Sequence, residues 1–252
     1  MMLGARLFLA ALLALAPLPA LADVTARYGL DGDKELVVEA AEGGNSRVEL
    51  PGKLAIIRRD GADYVVLYGK TGPKVFELQA MVGLMKAMLP KAAAAAEAGK
   101  VRFVAEPGPA SATVAGRTGS AWLLRMLEGP GQEHKGDVEI VTSSDPQLAP
   151  IGRIVARAAE VALDFMAGFI PESTQFGAAA RDILARGTPL RIQPVDAGKP
   201  GKTVLVLRSV DTAAIDPKHF ELPAPVIPAE GVFGAMDGLA QPGAGGKIEN
   251  LP

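Results

Sequence analysis

The sequence has 252 residues, 26 basic and 28 acidic side chains, a formal net charge of −2 and no cysteine. That balance excludes a general binder of phosphate backbones, which needs a concentrated positive surface. The missing cysteines exclude disulfides, iron–sulfur clusters and thiolate zinc sites, and leave a chain long enough to bury one core unaided.

The N-terminal segment carries an export signal. Arg6 is the only charge in the first 22 residues, and an apolar run from Leu7 to Ala16 follows it, ended by Pro17. Ala20 and Ala22 are the small residues that signal peptidase needs, so residues 1–22 read as a cleavable signal peptide and Asp23 as the first mature residue. The apolar run is too short for a bilayer core about 30 Å thick. No Arg-Arg pair marks the twin-arginine route. The sequence therefore implies export to the periplasm of a mature chain with no transmembrane anchor.

The first third reads as antiparallel strands. Val24–Tyr28 and Glu35–Glu39 flank Asp31-Gly32-Asp33; Leu54–Arg59 and Tyr64–Tyr68 flank Asp60-Gly61. Asp-Gly between two β-branched runs is a strong hairpin signal because both residues tolerate positive φ. Lys70 to Pro73 reads as a further turn. From Phe76 to Leu89 the period changes: Leu78, Met81, Val82, Met85, Met88 and Leu89 recur at helical steps. The alanine run Ala92–Ala96 is a good helix former beyond Pro90.

Strands return at Val101–Val104, Ala112–Ala115, Ala121–Leu127 and Asp137–Val141. Ser144 or Asp145 before Pro146 reads as a helix start. The helix Ile151–Phe169 puts Ile151, Ile154, Val155, Ala158, Val161, Ala162, Phe165 and Met166 on one face. Arg153, Arg157, Glu160 and Asp164 occupy the other. A third helix, Thr174–Arg186, stops at Gly187. Pro189–Ile192 and Lys202–Arg208 close the strand pattern. Residues 23–223 form one domain, and residues 224–252, rich in proline, glycine and alanine, read as a mostly disordered tail in which Val232-Phe233 is a docking point.

The residues that carry chemistry are sparse. Lys202-Thr203 after Gly201 lacks the upstream glycine of a phosphate loop, since Asp196 stands there, and leads into a strand. His134 reads as a solvated loop residue. His219 has no serine elbow or cysteine nucleophile to serve. Asp137 and Glu139 share one face of a strand and read as facing solvent. No enzyme, metal site or cofactor is expected. Met81, Met85 and Met88 form a stripe that suits either a core or the lining of an apolar site; Trp122 reads as core.

The order of meander, apolar helix, strands, amphipathic helix and returning strands resembles the lipoprotein-carrier fold of LolA and LolB. Val114 to Trp122, Ser144 to Pro150, Gly187 to Leu190 and Ile215 to Pro223 are similar to segments of exported relatives of these carriers. The resemblance implies an α+β fold, a curved, mostly antiparallel sheet (an unclosed barrel) with helices covering the concave face. It also implies an apolar ligand between sheet and helices, lined by Leu78, Met81, Met85, Trp122, Ile154 and Phe165. The chain is poorer in aromatics than the carriers, at 5%. Two functional readings follow: a periplasmic binding or carrier protein for a lipid or other apolar ligand, or a non-catalytic structural or protein-interaction domain of the cell envelope with a protein partner.

Overall fold

Tight turns between short alternating runs build the first half of the sheet. In a computed structural model that describes residues 23–31, 33–88, 101–129, 133–166, 173–196 and 199–232, the chain opens with six strands. These are β1 (Val24–Leu30), β2 (Lys34–Ala40), β3 (Ser46–Leu50), β4 (Leu54–Arg59), β5 (Ala62–Gly69) and β6 (Gly72–Glu77). Each pairs antiparallel with the next. Asp60 and Gly61 have φ of 52° and 83°, the left-handed pair that matches strand twist at a two-residue hairpin. β3 and β6 are absent from the sequence reading, which placed a turn at Pro73 and a helix from Phe76.

A second meander follows: β7 (Val101–Val114), β8 (Arg117–Glu128), β9 (Glu133–Ser143) and β10 (Thr188–Asp196). β7 is one strand where the sequence suggested two, because its register shift against β8 between Pro107 and Ser111 is taken up as an irregularity within the pairing. β11 (Lys199–Pro200) pairs with β10, and β12 (Leu205–Asp211) returns between β10 and β1, antiparallel to both. The order is β13-β6-β5-β4-β3-β2-β1-β12-β10-β9-β8-β7, where β13 is Val226–Ile227, in parallel with β6. The result is the α+β fold that the sequence implied, a curved open sheet dominated by antiparallel pairs.

Three helices follow their predicted spans closely: α1 (Leu78–Met88), α2 (Ala149–Met166) and α3 (Ser173–Leu184). Asp145 caps the 3-10 turn Pro146–Leu148 that leads into α2, its side chain accepting from the Gln147 amide at 2.9 Å. α2 lies on the sheet through Ile151, fully buried, and is brought close to β10 at Gly152. A Cβ there would stand 2.4 Å from Thr188 Oγ1. That hydroxyl donates to the Leu148 carbonyl at 2.8 Å. The helical phase differs from the sequence reading at one step: Ala162 is exposed, and Leu163 is buried where it meets the Gly177 turn of α3. α3 covers β7–β9 through Ala179, Ala180 and Ile183, with Phe176 edge-to-face on Phe103 at 5.4 Å.

The opposite face of the sheet is covered at β4–β6 by the chain itself. Side chains alternate between faces along a strand, so Ala55, Ile57, Val66 and Val75 point away from the helices, and Phe220, Ile215, Leu222 and Ala224 pack over them. This strap ends in β13, and Val232 beyond it is buried. The sequence reading ended the folded domain at Pro223. Packing continues to Val232 because Val226-Ile227 finds a free strand edge at β6.

Candidate functional site

The two faces of the β3–β5 region are covered unequally. On the strap side Ala55, Ile57, Val66 and Val75 are fully buried. On the helix side Val65 and Phe76 are buried too, near the start of α1, but Val48, Leu54, Ile56 and Leu67 are only partly buried. α2 crosses above that face without filling it, and a cavity of about 270 Å³ remains.

Its floor comes from β2–β5, through Ala40, Val48 and Ile56, with Leu78 at the start of α1 beside Asp63. Its roof is one face of α2: Pro150, Arg153, Ile154, Arg157, Ala158 and Val161, spaced as residues along one side of a helix. Gly44, Arg153 and Arg157 are the exposed lining residues and mark the side open to solvent.

Charge collects at that rim. Arg58 and Asp63 face each other across the β4–β5 hairpin, and Arg58 Nη1 donates to Asp63 Oδ1 at 3.2 Å. Asp63 is buried, and its other oxygen accepts from Arg157 of α2. One carboxylate therefore serves two guanidiniums. Arg153, one turn before Arg157, has no ion-pair partner among the described residues.

Of the residues expected from the sequence, Leu78 and Ile154 meet in this cavity. Met81 is half-buried on α1 but does not line it. The side chains of Met85 and Phe165, and residue Ala22, lie outside the described residues. Trp122 is elsewhere: on β8, its indole N–H donates to Thr142 Oγ1 at 3.0 Å, and the Arg186 guanidinium lies 4.3 Å over the ring. It belongs to the cluster beneath α3 because the strand order sets β8 on the far side of β12 from β2–β5. Asp23 holds two loops, accepting from the Glu42 amide at 2.9 Å and the Ile215 amide at 2.7 Å.

The remaining polar candidates make contacts within the fold. His219 Nδ1 lies 2.8 Å from the buried Glu39 carboxylate, and Arg47 donates to the His219 carbonyl at 2.8 Å, so this group pins the strap. His134 Nε2 lies 2.7 Å from Asp137. Asp137 and Glu139 do not face open solvent, as the sequence suggested: their side chains are 12% and 16% exposed. β9 is an interior strand, and Glu139 accepts from Arg191 and Gln193 of β10.

Arg58, Asp63, Arg153 and Arg157 escaped the sequence reading as site residues. A signal was present: Leu54, Ile56 and Arg58 alternate onto one face, and the Asp60-Gly61 turn fixes Arg58 opposite Asp63.

No family model matches the chain, and no curated protein does. Among solved structures it is similar to the crystal structure of MucB, at 15% identity and a TM-score of 0.31, over 88% of this chain. It spans 64% of the length of that protein. Identity and superposition this low leave function to be argued from the cavity. No described helix is long and apolar enough to cross a membrane.

Proposed function

We propose that the mature protein, exported to the periplasm after cleavage at Ala22–Asp23, binds an apolar ligand between its sheet and α2 as a binding or carrier protein of the LolA/LolB kind. One observation supports this above others. The apolar residues Val48 and Ile56 face a cavity, although β4, which carries Ile56, is sealed by the strap on its other side. Leaving apolar surface open costs roughly 25 cal/mol per Å², a deficit that an apolar ligand would recover. The cavity lies near the lower end of ligand pockets, which run from about 300 to 1,000 Å³, so it suits one chain in preference to a multi-chain lipid.

The test is a native mass spectrum of protein purified from the periplasm, with uptake of an uncharged fluorophore such as Nile red as the second readout. Ala158→Phe, which places a ring in the cavity without introducing charge, should abolish both. Wild-type protein that carries no apolar molecule and takes up no probe would leave the structural or protein-interaction reading in its place.

A further inference from the structure

We infer that the cavity takes a single-chain amphiphile with a carboxylate head, and that Arg153 holds that head. The inference rests on the apolar-binding reading above and adds a polar end to it. Three guanidiniums (Arg58, Arg153 and Arg157) and one carboxylate (Asp63) line an otherwise mainly apolar space. Asp63 is already bonded to Arg58 and Arg157, and its burial leaves it little room for a third cation. Arg153 and Arg157 are four residues apart on the same helix, where like charges sit about 5–6 Å apart at Cβ and repel. No described carboxylate pairs with Arg153; Asp145, which shares a neighbouring groove with it, is paired with Arg117.

An anion between Arg153 and Arg157 would offset that repulsion. A planar carboxylate matches the donor fork of arginine. The order of the lining also fits an amphiphile. The exposed positions on the α2 roof are Arg153 and Arg157, whereas the apolar floor residues Val48 and Ile56 are partly buried. A chain that lies over Val48 and Ile56 leaves its head at Arg153. Cationic and zwitterionic heads would meet the same rim with the wrong sign or a weaker match.

The experiment displaces Nile red from the full mature chain with three competitors: dodecanoate, 1-dodecanol and acetate. Dodecanoate should compete at least about tenfold better than dodecanol, the scale of one charge-assisted hydrogen bond. Acetate should fail. Arg153→Gln should bring dodecanoate down to the level of dodecanol, and Arg153→Lys should keep part of the difference. Equal competition by dodecanoate and dodecanol in the wild type would overturn the anionic head and leave the apolar reading standing. A preference that survives intact in Arg153→Gln, or displacement by acetate, would overturn the assignment to Arg153. If Nile red does not bind, or no competitor displaces it, both readings fall together.

Discussion

Arg157 on α2 donates to the buried carboxylate of Asp63 on β5, tying the helix to the sheet at the rim of the cavity. The same carboxylate accepts from Arg58. Asp63→Asn would keep the shape and remove the charge, leaving both guanidiniums uncompensated. Those side chains are 30% and 49% exposed, so solvent screens part of the loss. The expected cost is about 1–3 kcal/mol, below that of breaking a fully buried pair. A double-mutant cycle with Arg157→Gln in urea unfolding should show a coupling above about 0.5 kcal/mol. Strict additivity would mean that the two residues do not interact in solution.

The β7–β8 turn carries a correctable strain. Ala115 is exposed at φ 49°, followed by Gly116 at φ 73°. A left-handed alanine costs roughly 1–2 kcal/mol, and a glycine there gives back about 0.4–1 kcal/mol through the freer unfolded chain. Ala115→Gly should therefore stabilise the protein by about 0.5–1 kcal/mol, raising Tm by about 1–4 °C in a calorimetric scan. Ala115→Asn should do at least as well. A lower Tm for both variants would contradict the turn geometry.

How far the sequence reveals this molecule depends on which signals are local. The β4–β5 hairpin is legible because Asp60-Gly61 states its own turn type, and α2 because its apolar residues keep one period from Ile151 to Val161, about three turns. β3 is missed because Ser46–Leu50 has only five residues and no diagnostic dipeptide beside it. β6 is missed because Val75-Phe76 runs without a break into the apolar face of α1. The strap is missed for a different reason. Phe220 finds its partners Ala55 and Val66 far away in sequence, and a Pro-rich segment gives no periodicity from which to expect them. At the site, Leu78 and Ile154 are legible as apolar residues at helical spacing. Asp63 is not, since a lone carboxylate near a turn is ordinarily assigned to solvent.

Tyr28 should make the protein sensitive to alkali. Its side chain is fully buried, and its hydroxyl donates to the Pro189 carbonyl at 3.1 Å across the junction of the two meanders. Burial pushes the phenol well above its ordinary value near 10. A raised acid holds its proton in the folded state, so its contribution is complete below about pH 10 and declines as pH rises beyond that. Tyr28→Phe loses one hydrogen bond, about 1 kcal/mol, but also the alkaline penalty. Urea midpoints should therefore differ at pH 8 and converge by pH 10.5. Parallel pH profiles for the two proteins would show that Tyr28 ionises without unfolding.

The strap over the outer sheet face should be part of the cooperative fold and not an appendage. Phe220 is buried in one cluster with Ala55, Ile57, Val66 and Val75. Polar contacts fix the same segment: Asp23 to the Ile215 amide at 2.7 Å, and Arg47 to the His219 carbonyl at 2.8 Å. Phe220→Ala would open a cavity and wet the outer face of β4–β6, at an expected cost of about 3–5 kcal/mol in global stability. Phe220→Leu keeps most of the volume and should lose less than about 1.5 kcal/mol. Urea unfolding followed by both circular dichroism and limited proteolysis separates two outcomes. If the strap is integral, Phe220→Ala lowers both midpoints together. If residues 212–225 become cleavable while the circular dichroism midpoint stays at the wild-type value, the strap is a separately opening segment and the sheet stands without it.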